Sequence, residues 1–221
     1  MDSLTGVARD HALQIVALEK NIGIFIEIQV QKYVLAMPFL MSFLNTVYCV
    51  IHIPGTIVFL IWLFHYTDSK QYSSIRRTLA ICNILAFLFF TVYPCMPPRL
   101  LPDHGSNEFT FVDTVHEWGG GSTTVLTNNR FINKFAAMPS LHFGYAFIVG
   151  LSVGLVPSST RCGEKSLMKV KLLRGTIGLA YPFIILLSIV ATANHFLLDA
   201  VGGAIVCLVA SQINRFLFFI H

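Results

Sequence analysis

Two short motifs in this 221-residue sequence combine residue types that can transfer a phosphoryl group. In PSLH, Ser140 precedes His142 by two residues, and in HFLLD, Asp199 follows His195 by four. One imidazole can attack phosphorus while the other protonates the leaving oxygen. A carboxylate four residues from a histidine lies on the same helical face and can hold an imidazole nitrogen. The two motifs therefore predict phosphoryl transfer.

An anion-binding set accompanies the two histidines. Arg99 follows the prolines of PCMPP, which stiffen the chain where an apolar stretch ends. Pro139 and Ser140 make a good helix start, and free N–H groups at a helix N-terminus attract anions. The cation and these amides would hold the negative charge on the equatorial oxygens of the transition state. A lone arginine at this depth can also extend to lipid head groups, so the prediction depends on the whole set.

A metal centre is the alternative use of the same residues. His142, His195 and Asp199 are all metal-ligating types, but the sequence offers no evident fourth ligand. The five cysteines are scattered and include no C-x-x-C pair. We therefore expect no metal and no cofactor.

The elements that position these residues are apolar. The sequence is 55% hydrophobic and 12% charged, whereas soluble domains are ~25% charged. No Asp, Glu, Lys or Arg occurs in 33–67, 78–98, 135–160, 175–198 or 200–214. A transmembrane helix needs ~20 apolar residues, and only helices or closed barrels span lipid. This excludes a cytosolic globule, a disordered chain and a nucleic-acid binder, and predicts an all-α, polytopic transmembrane bundle of five to six spans.

The clearest spans are 76–92, 140–156, 175–192 and 196–216. The stretch 33–67 is too long for a single simple span, since as one helix it would reach about 50 Å against a ~30 Å hydrocarbon core. Pro38 and Pro54 either divide it into two spans or leave one long, kinked helix. Residues 33–221 are predicted to form one membrane-embedded catalytic domain.

Residues 1–32 are predicted to form an amphipathic segment at the membrane surface or against the bundle. Five apolar residues fall on one helical face, and three charged residues fall elsewhere: Ile15, Leu18, Ile22, Phe25 and Ile26 against Glu19, Lys20 and Glu27. The first 14 residues lack the pattern of a signal peptide, and we expect them to be retained.

The loops predict which end of the bundle carries the chemistry. Segments 67–77 and 157–174, with Arg215, contain nine basic residues, whereas the opposite loop, 93–134, contains three. The positive-inside rule assigns the basic side to the cytosol. Loop 93–134 and the motif residues at its ends then face the lumen or the exterior. The organelle is not indicated by the sequence; in a eukaryote we expect an endomembrane. A loop of about 40 residues is uncommon unless it is functional.

The motifs resemble those of the membrane phosphatidic acid phosphatase type 2 superfamily, which carries P-S-x-H and a downstream H-x-x-x-D. PPRL, AAMPSLHFGYAF and NHFLLDAVGGA look most like its inositol phosphorylceramide synthase-like branch. The resemblance covers roughly residues 75–215. It implies a nucleophilic His195 that forms a phosphohistidine, with Asp199 as its partner and His142 as general acid. It also implies that no metal is used.

The resemblance further implies phosphate contacts from Ser140 and Arg99. Two cations of the family pattern are missing, because Val92 stands at the position of a lysine and Ile189 at that of an arginine. Three polar residues are the candidates to replace these cations at the phosphate: Asn194, Lys134 and Arg130.

The predicted function is therefore a metal-independent phosphoric ester hydrolase or head-group phosphotransferase acting on a lipid phosphate, with an alcohol as a possible acceptor. The closest branch favours transfer to a sphingolipid. Two alternatives stay open: an enzyme acting on isoprenyl diphosphates, and a non-catalytic lipid-binding or transport relative that keeps the scaffold. The missing cations favour the last alternative, and the His–Asp pair opposes it. Nucleic acid is not expected as a partner.

Overall fold

The computed structural model describes residues 3–102, 109–117, 133–155 and 164–218 of the chain. Arg130 and much of loop 93–134 lie outside these ranges. Within them the fold is all-helical and contains no strand, which confirms the predicted class.

The helices fall into an N-terminal pair, one long helix that contains a π-helical turn, and the remaining helices of the bundle. Their bounds are α1 (Ser3–Asn21), α2 (Glu27–Leu35), α3 (Pro38–Thr46), a π-helical turn (Val47–Ile51), α4 (His52–Tyr66), α5 (Ser69–Val92), α6 (Thr114–Glu117), α7 (Leu141–Leu155), α8 (Glu164–Ala191) and α9 (Leu197–Phe218). Four segments of the described chain are long and apolar enough to cross a membrane: Pro38–Tyr66, Ser69–Val92, Met168–Ala191 and Leu197–Leu217. The apolar helix Leu141–Gly154 is shorter.

The stretch 33–67 contains one long helix and not two spans. It runs from Pro38 to Tyr66 without a break in helical structure. Pro38 is its first residue, where the missing N–H has no partner to lose. Pro54 is unable to bond the carbonyl of Val50, but Val50 lies in the π-helical turn, where the bonding pattern is already shifted. At 1.5 Å per residue the helix is about 43 Å long, so it tilts in the bilayer or extends beyond it.

The N-terminal segment lies against the bundle, which was one of the two predicted placements. It is two helices, separated at Gly23, whose φ of +75° is a left-handed conformation that glycine adopts readily. The predicted distribution of residues over its faces is wrong. Glu19 and Glu27 are fully buried, whereas Leu18 and Ile22 are about half exposed. The reason is that both glutamates bind backbone N–H groups of α9.

Close helix packing sets the position of the PSLH motif. Helices α7 and α9 approach so closely that a Cβ on Gly203 would lie 2.2 Å from the carbonyl oxygen of Ser140. Only glycine permits this separation. A Cβ on the neighbouring Gly202 would make ordinary contacts at 3.4 Å with Met138. Gly203 therefore holds the start of α7 against the first turns of α9.

Candidate active site

The segments before α7 and after α5 are joined by backbone hydrogen bonds. The Cys95 N–H donates to Phe135 O at 2.7 Å, and the Ala137 N–H donates to Cys95 O at 3.2 Å. Helix α1 supports the same segment, because the Met96 N–H donates to Ala8 O at 3.0 Å. These bonds fix the carbonyl group of Ala137, which faces the next part of the site.

His195 lies in the short turn between α8 and α9. Its Nδ1 is 2.7 Å from Ala137 O and 3.5 Å from Asp199 Oδ2. A carbonyl oxygen only accepts hydrogen bonds, so Nδ1 carries a proton, and in the neutral ring Nε2 keeps its lone pair. Nε2 is therefore the ring nitrogen with a lone pair available to a bound group.

Asp199 is placed differently from the sequence-based expectation. The expectation was that it shares a helical face with His195, but α9 begins only at Leu197. Asp199 lies in the first turn of α9, where its Oδ2 accepts a hydrogen bond from the Phe196 N–H at 2.8 Å. This is the carboxylate half of a capping box. Asp199 therefore shapes the turn that carries His195, and its contact with the imidazole at 3.5 Å is longer than a good hydrogen bond.

His142 occupies the first turn of α7, as predicted. Ser140 caps this helix, because its hydroxyl oxygen accepts from the Phe143 N–H at 3.3 Å. The imidazole rings of His142 and His195 have centroids 5.8 Å apart. The ring of Tyr48 stacks on His142 at 4.4 Å. A phosphate between the two imidazoles would be within reach of both.

Arg99 is held firmly at the same end of the bundle. Its Nε donates to Asn194 Oδ1 at 2.9 Å, and its guanidinium forms an ion pair with Asp113 Oδ2 at 2.6 Å. The Asn194 side-chain amide donates to Thr192 Oγ1 at 2.8 Å. Asn194, predicted to bind phosphate, therefore has both ends of its amide engaged and orients Arg99.

Four of the six predicted site residues line one cavity of about 300 Å³: Arg99, His142, Asn194 and His195. Ser140 and Asp199 lie behind it and are joined through a hydrogen bond from the Ser140 N–H to Asp199 O at 2.9 Å. Both are fully buried. The topology thus brings together residues that are up to 100 positions apart in sequence.

The residues that were candidates to replace the missing cations differ in where they lie. Lys134 is exposed and lines the cavity, while Arg130 lies outside the described residues. Val92 is largely exposed, and Ile189 is fully buried among apolar side chains. The Ile189 side chain therefore contributes to packing and not to the binding of phosphate.

Two parts of the site were missed in the sequence. Tyr48 and His52 are four residues apart at the π-helical turn, and His52 lies 5.3 Å from His142 between ring centroids. His52 Nδ1 is 2.9 Å from the hydroxyl of Tyr181 on α8. The i, i+4 spacing of two polar rings in an otherwise uncharged stretch was the available signal. Asp113 had no such signal, because nothing in its local sequence indicates the pairing with Arg99.

Clusters of three or more His, Cys, Asp or Glu side chains suited to a metal ion do not occur among the described residues. The metal-free chemistry expected from the sequence stays a prediction.

Comparison with models of protein families places the chain in a known superfamily. The family model described as the PAP2 superfamily matches residues 13–213, which include every residue of the cavity and the buried glutamates of α1 and α2. No curated protein matches the chain, and no solved structure does.

Proposed function

The chain belongs to the PAP2 superfamily, and we propose on that basis that it transfers or hydrolyses a phosphoryl group of a lipid through a phosphohistidine on His195. The superfamily consists generally of phosphoesterases. Because the chain belongs to it and has several long apolar helices, it is an integral membrane protein. The nucleophile, the acceptor and the substrate are the parts that we propose.

The first chemical step uses both histidines. The lone pair of His195 Nε2 forms a bond to phosphorus while the bond from phosphorus to the leaving oxygen breaks. His142 gives its proton to that oxygen. The guanidinium of Arg99 and the N–H groups at the start of α7 stabilise the charge on the remaining oxygens.

The second step returns the enzyme to its starting state. Water or an alcohol attacks the phosphohistidine, and His142 accepts the proton of the attacking hydroxyl group. The phosphorus–nitrogen bond breaks, and its electron pair returns to Nε2 of His195. Water as acceptor gives hydrolysis, and an alcohol gives head-group transfer.

The observation that carries this proposal is the hydrogen bond between His195 Nδ1 and Ala137 O at 2.7 Å. It selects the tautomer with a nucleophilic Nε2 and orients the ring by a backbone group that does not titrate. The imidazole of His142 is close enough to act on the opposite side of the same phosphate.

The number of positive charges at the cavity bears on how much negative charge the substrate's phosphate group carries. Arg99 forms an ion pair with Asp113, which offsets its positive charge. Lys134 is the other cation that lines the described part of the cavity. A singly charged phosphodiester head group needs less compensation than a phosphomonoester or a diphosphate. We therefore favour a phospho-head group donor and an alcohol acceptor, which agrees with the predicted inositol phosphorylceramide synthase-like branch. That branch, the sphingolipid acceptor and the lumenal side of the site remain proposals.

The test is turnover by the purified protein in detergent micelles, with and without EDTA. The substrates are lipid phosphomonoesters, lipid phosphodiesters and isoprenyl diphosphates, with and without an added long-chain alcohol. We expect His195→Ala to lower product formation at least about 1,000-fold, and EDTA to leave the wild type unchanged. His65→Ala is the matched control, because His65 is exposed. Wild-type rates in His195→Ala would overturn the proposal.

A second candidate function is lipid binding without catalysis, favoured by the apolar residues at positions 92 and 189. Vanadate adopts the five-coordinate geometry of the transition state and binds to a reactive histidine. If the wild type neither turns over these substrates nor gains thermal stability with vanadate, the binding function replaces the enzymatic one.

A further inference from the structure

Three carboxyl groups from three different helical segments converge on the N-terminus of α9. They accept hydrogen bonds from three successive backbone N–H groups: Asp199 Oδ2 from Phe196 at 2.8 Å, Glu27 Oε1 from Leu197 at 2.9 Å, and Glu19 Oε1 from Leu198 at 2.8 Å. All three carboxyl groups are fully buried. The N-terminus of a helix ordinarily leaves these N–H groups to solvent or to one capping side chain.

Three buried negative charges at one helix end would exceed what its dipole compensates, since the dipole is equivalent to about half a charge. Burial, together with the neighbouring carboxyl groups of Glu27 and Asp199, raises the pKa of Glu19 to about 9. Glu19 Oε2 and Glu27 Oε2 are buried and have no hydrogen-bond partner among the described residues.

The turn that these groups hold is conformationally demanding. Ala193 has φ +51°, a left-handed conformation that is unfavourable for a residue with a side chain. The N–H groups of Asn194 and His195 both bond the carbonyl of Ile189, at 3.0 and 3.2 Å. Such a turn persists only when its surroundings hold it in place. His195 lies two residues before Leu197, whose N–H donates to Glu27.

We propose that Glu19 and Glu27 are positioning residues that, by binding the first N–H groups of α9 from two separate helices, fix the turn carrying His195. The N-terminal helices are thereby part of the catalytic unit. Because Glu27 and Glu19 bind adjacent N–H groups from separate helices, they define both the position and the tilt of the end of α9. This inference rests on the proposed function, because it concerns the nucleophile of that reaction.

The reach of each side chain and its charge can be changed separately by substitution. In Glu19→Gln or Glu27→Gln, the amide oxygen still accepts from α9, but the side chain can no longer carry a negative charge. In Glu19→Asp or Glu27→Asp, the carboxyl group remains but is one methylene shorter and does not reach the N–H group without moving α9.

The experiment measures kcat and KM of the four variants with the best lipid substrate, per active site counted by vanadate binding. We expect the two Asp variants to lose about 10- to 100-fold in kcat, because misplacement of a reacting group by 1 Å has effects of this size. KM should change less than threefold. The two Gln variants should stay within threefold of wild-type kcat. Asp10→Asn, on the exposed face of α1, is the matched control.

A purely structural role would lower the number of active sites and leave kcat per site unchanged, and this result would overturn the proposal. Wild-type kcat in both Asp variants would do the same. If one Asp variant fails to fold, the other Asp variant and the two Gln variants still test the proposal. Loss of kcat in both Gln variants would contradict it, because these side chains keep their reach to α9. If the wild type itself has no turnover, the proposed function fails, and the inference fails with it.

Discussion

Helix α9 carries a buried polar cluster at each end, and the two clusters differ in how completely they are hydrogen-bonded. Near its C-terminal end, the amide N–H₂ of Asn214 donates to Ser74 O at 3.1 Å, to Ser74 Oγ at 3.0 Å and to Thr78 Oγ1 at 3.1 Å. Its Oδ1 accepts from Arg77 Nε at 3.2 Å. Each polar atom of the Asn214 side chain has a partner on α5.

At the N-terminal end the bonding is incomplete. Asp199 Oδ1, Glu19 Oε2 and Glu27 Oε2 are buried and find no donor in the described part of the chain. The adjacent Ala193 is in a left-handed conformation. The same helix is therefore fully bonded where it holds α5 and incompletely bonded where it presents His195.

The difference in hydrogen bonding indicates that one end of α9 serves stability and the other end serves chemistry. Buried polar groups are ordinarily paired, and exceptions need an explanation. Unpaired groups and strained backbone cost free energy that packing elsewhere must offset, and they are concentrated at functional sites. Substitutions at the Asn214 end should therefore change stability without changing turnover, and substitutions at the His195 end should change turnover more than stability.

The largest effect expected from the comparison is that of His142→Gln. Loss of the general acid should lower kcat by about 100- to 10,000-fold with a lipid substrate, while the thermal midpoint stays within a few degrees. The leaving group provides the control. With 4-nitrophenyl phosphate, whose leaving oxygen needs little protonation, the loss should be at least tenfold smaller. An equal loss with both substrates would mean that His142 is not the general acid.

Composition and charge pattern were enough to predict most of the fold. The charge-free stretches predicted α5, α7, α8 and α9 to within a turn or so at their apolar ends, because a bilayer imposes both length and helical structure. The stretch 33–67 was not decided by its pattern. Whether Pro54 ends a helix depends on the π-helical turn before it, which has no marker in the sequence.

The site was predictable only where its members belong to a motif. His142 and His195 could be found in this way, and so could Arg99. The contacts of Glu19 and Glu27 with α9 join residues about 170 to 179 positions apart. Helical periodicity counts a charged residue as exposed, so it placed both glutamates on the wrong face. Nothing in the local sequence distinguishes a surface glutamate from one that caps another helix.

The next prediction tests whether the N-terminal end of α9 tolerates any displacement. Gly203→Ala would place a Cβ 2.2 Å from Ser140 O, so α7 and α9 must separate. We expect a loss of roughly 1–3 kcal/mol in unfolding free energy and a fall in kcat, because Ser140 begins the helix that carries His142. Gly202→Ala is the matched control, since its Cβ makes ordinary contacts. Equal effects of the two substitutions on thermal stability and kcat would contradict this account.

The smallest effect belongs to the fully bonded end. Asn214→Ala removes the hydrogen bonds that join α9 to Ser74, Thr78 and Arg77. Hydrogen bonds between transmembrane helices contribute about 0.6 kcal/mol on average and at most about 1.7 kcal/mol, so we expect a loss of this size in detergent unfolding. The kcat per active site should be unchanged. Gln212→Ala, which truncates an exposed amide on the same turn of α9, should alter neither quantity. A fall in kcat in Asn214→Ala alone would show that the two ends of α9 are coupled, because a change confined to the contacts with α5 would then displace the turn that carries His195.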